Sequence, residues 1–176
     1  MKAKATNSVV VVYQAEQVRE EAVKFCDRLI ERFWASHEFD LNWWSFDSLE
    51  DGRGARDASL KAIEADLIVF ASRPAEEIPA FVKGWVETWV GQRGDREGAL
   101  VGLMDPGAGV GCVPDQFVYL RNVAHRGGMD YLTQLPRELS RVIPDSIESY
   151  TERADRVTSV LDEILHYKTP PPQLLR

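Results

Sequence analysis

The sequence predicts an open α/β fold, a five-stranded parallel sheet in the order 2-1-3-4-5 with helices on both faces. Three observations predict it. Strand-like and helix-like stretches alternate along the chain. The first, third and fourth strands are continuously apolar, as parallel strands buried on both faces must be. The second alternates and the fifth is short and mixed, which marks them as the edges. The 176 residues suit one domain, expected over residues 1–168, with a proline-rich tail at 169–176. At 44% hydrophobic and 28% charged, the chain is too apolar to stay disordered.

Each element has its own signature. Ser8 to Tyr13 (SVVVVY) is a β-branched run and reads as a buried strand. Val18, Ala22, Phe25, Cys26, Leu29, Ile30 and Phe33 then recur at helical spacing, with Arg19, Glu20, Lys24, Asp27, Arg28 and Glu31 on the other face. Phe39 to Phe46 alternates until Trp44, where the phase slips, so a bulge or the end of the strand is expected there. After a loop at Glu50 to Arg56 comes a short helix carrying Ala58, Leu60, Ala62 and Ile63, then a strand at Leu67 to Ala71. Ile78 to Val90 is a third helix, ended by Gly91 and Gly94. The loop at Gln92 to Glu97, with Arg93 and Arg96, reads as a solvated turn.

Leu100 to Met104 is the fourth strand, and a glycine-rich loop follows it. Pro114 suits the first turn of a helix running to about Ala124, with His125 and Arg126 in its last turn and Gly127-Gly128 as its stop. Met129 to Thr133 is a short fifth strand. Ile147 to Leu165 has the spacing of a long final helix, and TPPPQLLR that of a polyproline segment.

Composition excludes several classes of function. With 21 basic against 28 acidic residues the net charge is -7 and the pI about 5.0, so phosphate backbones are repelled and nucleic acid is not an expected partner. No apolar run approaches the ~20 residues of a membrane span, so no membrane contact is expected. The run Val9 to Val12 is too short for a leader, and a cytoplasmic location follows as the expectation. Cys26 and Cys112 make neither a disulfide framework nor a zinc site, and no metal is expected.

In this winding, ligands bind beyond the carboxyl ends of the strands where the order reverses, between the first and third strands. That places Gln14, Trp44, Ser72, Arg73, Asp105, Gly107 and Gly109 at the crevice as candidate ligand-binding residues. Arg73 is the fixed cation there, suited to an anionic ligand, with Glu76 and Glu77 as competing partners in its own loop. The run Gly107 to Gly111 lets backbone approach a ligand but lacks the Lys-Ser/Thr of a phosphate loop. No histidine falls in these loops, so a Ser-His hydrolase is excluded. Cys26 reads as a core residue. Trp85 and Trp89, one turn apart on a helix with more apolar surface than the sheet needs, are candidates for a neighbouring helix or for a homodimer interface.

Order 2-1-3-4-5 is the flavodoxin-like winding. Ala65 to Trp89 (ADLIVFASRPAEEIPAFVKGWVETW) resembles the third β-α unit of flavodoxins, and more closely that of NADPH-dependent FMN reductases, with Ala65, Asp66, Ser72, Pro74, Ile78, Pro79 and Lys83 in comparable places. The resemblance covers about 25 residues. It implies FMN as cofactor and NAD(P)H oxidation as activity, with Gln14, Ser72, Arg73, Trp44 and the Asp105 loop as an atypical site. The departures favour a different expectation. Ala75-Glu76-Glu77 stands where those proteins carry an aromatic residue against the flavin, and Gln14-Ala15-Glu16-Gln17 where they carry a Ser/Thr/Gly phosphate cradle. Receiver chemistry is likewise missing, since Gln14-Ala15, Ser72 and Thr133 replace its acids and lysine. The sequence thus predicts a non-catalytic binding or regulatory module without cofactor, a homodimer with a possible protein partner. The FMN-dependent oxidoreductase is the alternative.

Overall fold

The computed structural model describes residues 4–73, 76–104 and 115–133. Its elements are β1 (Ala5–Tyr13), α1 (Glu16–Phe33), β2 (His37–Ser45), α2 (Gly52–Glu64), β3 (Leu67–Ser72), α3 (Ala80–Trp89), β4 (Ala99–Met104), α4 (Asp115–Arg126) and β5 (Asp130–Thr133). All neighbouring strands are parallel, in the order β2-β1-β3-β4-β5, so the chain has the flavodoxin-like fold. Asp105, Gly107, Gly109, Cys112, Pro74 and Pro114, the expected final helix and the tail lie outside the described residues.

Period-two alternation divides the core between the two sheet faces. Val10, Val12, Ile68, Phe70 and Leu100 point to the face covered by α2, α3 and α4. Val9, Val11, Val69 and Val101 point to the other, where α1 lays down Val18, Ala22, Phe25, Cys26 and Leu29. Val9 to Val12 and Ile68 to Ala71 are fully buried on both faces, which is why those strands read as unbroken apolar runs.

Four expectations are resolved or corrected. The phase slip at Trp44 marks the end of the strand at Ser45 and not the bulge: the register runs unbroken from Ala5 opposite His37 to Tyr13 opposite Ser45. Trp43 packs on the α1 side of the sheet and Trp44 on the α2 side. The segment Glu50 to Arg56 is not all loop, because α2 begins at Gly52. Gly54 permits this, since a Cβ there would lie 2.3 Å from the Ser48 carbonyl oxygen.

Trp85 and Trp89 are interior residues of this chain, not the surface residues that a subunit contact requires. Trp85 donates its indole N–H to the Ala55 carbonyl at 3.1 Å, and its ring lies 5.5 Å from that of Trp89 and 6.3 Å from that of Phe70. The surplus apolar arc of α3 is thus taken up by α2 and by the sheet.

Nor is Arg93 in a solvated turn; it is 4% exposed. Its guanidinium donates to the carbonyls of Ala62 at 2.6 Å, Ala65 at 3.0 Å and Gly127 at 3.4 Å, joining the ends of α2 and α4. Those are orphan helix-end acceptors, and a cation suits the negative end of a helix dipole. Burial pulls this guanidinium down to about 10, so it is fully charged at neutral pH. Gly98 leaves the space, since a Cβ there would sit 2.7 Å from Arg93 Nη2. Beside it, α4 ends in a Schellman arrangement: Met129 N–H to Ala124 O, Gly128 N–H to His125 O, with Gly128 at φ 65.

The Cys26 thiol is buried under α1, and desolvation pushes it up to about 12. In a Cys112→Ser variant no thiol is expected to react with a soluble maleimide at pH 8 until denaturant is added. Rapid labelling of the native variant would show that α1 does not cover Cys26 as described.

Candidate functional site

The carboxyl ends of β1 and β3 open the crevice at the point where the winding reverses. Gln14 follows β1 directly, and its backbone N–H donates to the Ala71 carbonyl at 2.9 Å, which holds the first loop against β3. The Gln14 side chain crosses the crevice. Its Oε1 accepts from the Arg73 backbone N–H at 2.9 Å, and its Nε2 donates to the Glu76 carboxylate.

Arg73 spans the same gap from β3. One terminal nitrogen bonds Glu76 at 3.0 Å, and the other donates to Gln17 Oε1, also at 3.0 Å. Gln17 lies in the first turn of α1. The residue before that helix, Ala15, is extended, and no side chain caps the turn. Leading amides of a helix favour an anion, and the fold brings the Arg73 cation beside them. Glu16 leans instead toward Arg19, 3.0 Å away, and the Arg19 guanidinium lies over Trp43 at 5.5 Å and Tyr13 at 5.7 Å. The first-turn carboxylate is therefore already partnered.

Ser72 is buried, and its hydroxyl donates to Gln116 Oε1 at 2.6 Å. Gln116, in the first turn of α4, returns its Nε2 to the carbonyls of Arg73, at 2.7 Å, and Glu76. One buried amide thus fixes the loop between β3 and α3 from below, and Ser72 supports that loop rather than facing solvent. Glu77, in the loop before α3, is held below the ordinary carboxylate range by the Lys83 ammonium 2.9 Å away.

Of the residues expected here, Gln14, Arg73 and Ser72 come together, Ser72 as a buried support. Trp44 does not join them, because its side chain packs on the core cluster beneath α2 and α3. Glu76 takes the role of loop partner to Arg73 that the sequence allows it, while Gln17 and Gln116 complete the arrangement as partners not expected from the sequence. Gln116 left a signal: it sits on the apolar stripe of α4 with Leu120 and Val123, where a polar residue needs an internal partner. Among the described residues no group of three or more His, Cys, Asp or Glu side chains could hold a metal ion. None of their helices is long and apolar enough to cross a membrane.

No family model matches the sequence, and no curated protein matches it. Solved structures with a similar chain course exist at low identity. The apo form of an NADH:FMN oxidoreductase (EMOB) is 12% identical, with TM-score 0.48, over 94% of this chain and 92% of its own. A mutant flavo di-iron protein from Thermotoga maritima is 15% identical with TM-score 0.46, over 84% of this chain; the match spans 36% of the di-iron protein, about a third of it. FerB, a flavoenzyme NAD(P)H:(acceptor) oxidoreductase from Paracoccus denitrificans, is 12% identical with TM-score 0.39, over 90% of this chain and 95% of its own. The strand order and register described above establish the fold independently of these likenesses.

Proposed function

We propose that the crevice between β1 and β3 binds the phosphate of flavin mononucleotide and that the chain acts as a flavin-dependent oxidoreductase. One observation carries this reading: the Arg73 guanidinium is tied to Gln17 in the first turn of α1, a helix whose N-terminus has no side-chain cap. A cation beside uncapped leading amides fits a phosphate dianion. Arg73, Gln14 and the α1 amides would hold that phosphate, and the bound flavin would supply hydride-accepting chemistry. The chain's own part is to position the phosphate and to free Arg73 from Glu76.

The specific observation favouring the second reading, a non-catalytic binding module, is Glu76. Its carboxylate neutralises Arg73 at 3.0 Å and bonds Gln14, so the crevice satisfies its own polar groups with no ligand present.

Absorbance of the purified protein and an FMN titration followed by flavin fluorescence separate the two. Quenching is expected, weakened at least tenfold by Arg73→Ala and strengthened by Glu76→Gln, since a salt-bridged carboxylate competes with phosphate for the same cation. A colourless protein that leaves FMN fluorescence unchanged, with Glu76→Gln equally inert, overturns the flavin reading and leaves the binding module.

A further inference from the structure

The two edges of the sheet are unlike. At one, β5 is described over Asp130–Thr133 and pairs with β4. At the other, β2 runs nine residues, with no proline, no lysine and no bulge from His37 to Ser45. Its charged residues are Glu38 and Asp40, and Asp40 is partnered by Lys61 of α2 at 3.2 Å and by Asn42 at 3.1 Å.

The bonds that bracket β1 and β2 set the direction of every backbone group. Ala5 N–H donates to Ser36 O at 3.2 Å, and Phe46 N–H to Tyr13 O at 2.8 Å. In a parallel ladder this phase turns the even-numbered residues of β2 toward β1 and the odd-numbered ones outward. Phe39, Leu41 and Trp43 therefore offer their N–H and C=O groups to the open edge, with no partner for them among the described residues. Ser45 does not offer its carbonyl fully, since Ser48 Oγ already donates to it at 2.6 Å. The side chains of Phe39, Leu41 and Trp43 all lie on the α1 face, each half-buried against the core there.

We infer that β2 is an interface for a second copy of this chain, paired antiparallel about a two-fold axis at Leu41. The pattern is self-complementary in that register. Leu41 exchanges both backbone bonds with the second copy's Leu41, and Phe39 does so with its Trp43. On the α1 face this sets aromatic against aromatic and leucine against leucine, pairs that stabilise antiparallel strands. On the α2 face Asp40 lies opposite the neutral Asn42 of the second copy, so the acid that would otherwise guard the edge is not set against another acid. The two sheets then run together as one. A two-fold interface has to be complementary to itself in this way, and the inference does not depend on what the crevice binds.

The test is the mass of the full chain by size exclusion with light scattering across a dilution series, together with amide exchange of the intact protein. A species of twice the 19.9 kDa chain mass is expected, with the amides of Phe39, Leu41 and Trp43 protected and losing protection on dilution. Leu41→Pro is expected to return the monomer, because the Leu41 N–H is not used by β1 and its removal spares the internal ladder. Circular dichroism of the variant checks that the sheet is kept. The wild-type exchange pattern decides the matter should the variant fail to fold. A chain that stays monomeric at every concentration overturns the inference. So does a dimer whose three amides exchange freely, and so does protection of those amides in a monomer, which would mean that the edge is covered within the chain.

Discussion

Arg93→Met is expected to destabilise the protein by roughly 3–5 kcal/mol in urea unfolding, an effect far larger than is usual for an arginine outside a binding site. Methionine fills the volume of the aliphatic stem but donates nothing. The carbonyls of Ala62, Ala65 and Gly127 then stay buried around a thioether, and each stranded acceptor costs about 1–3 kcal/mol. Arg93→Lys is expected to recover only part of the loss, since one ammonium cannot reproduce the spread of a planar guanidinium over several acceptors. Gly98→Ala, whose Cβ would press on the same guanidinium, should also destabilise. A change below about 1 kcal/mol for Arg93→Met would mean that water replaces the guanidinium without penalty and that the two helix ends are not joined through it.

Trp89→Ala is expected to cost about 3–5 kcal/mol, the range for truncating a large aromatic in a packed core. Trp89 is completely buried, its ring tilted against that of Trp85 at the end of α3, where no neighbour can collapse into the space without moving α2 or α4. The variant should unfold at much lower denaturant with little change in the m-value, and its oligomeric mass should follow that of the wild type wherever it stays folded. A fully stable Trp89→Ala with lowered mass would instead return Trp89 to the subunit contact that the sequence suggests.

The core was legible because apolar periodicity is a local property. Four successive valines dry on both faces fit a central strand of a covered parallel sheet, and the helical stripe from Val18 to Leu29 faces that sheet. The slip at Trp44 marks the end of the strand, whose last residue is Ser45. Adjacent tryptophans each find an apolar face, one under α1 and one under α2. Trp85 and Trp89 take the first of the two places the sequence allows them, against a neighbouring helix. The arc of α3 exceeds what a sheet covers, and only the placement of α2, drawn close where Gly54 meets Ser48, shows what takes up the rest.

The candidate site was half legible. Position at a strand end was enough to select Gln14, Ser72 and Arg73, because the winding decides which loops converge. What those side chains bond was not readable. Arg73 had Glu76 three residues away as an evident partner, yet its second partner, Gln17, is 56 residues distant along the chain. Gln116 reaches Ser72 across 44 residues.

By itself, then, the amino-acid order determined the elements, their faces and the order of the strands, since burial energy acts through a repeat of two or of 3.6 residues that neighbours in sequence share. Only the tertiary structure decided where the polar groups went: Arg93 onto the ends of α2 and α4, Arg73 onto the first turn of α1, Gln116 beneath the loop after β3. Hydrogen bonds are short and directional, so their partners depend on which distant segments the packed core brings within about 3 Å.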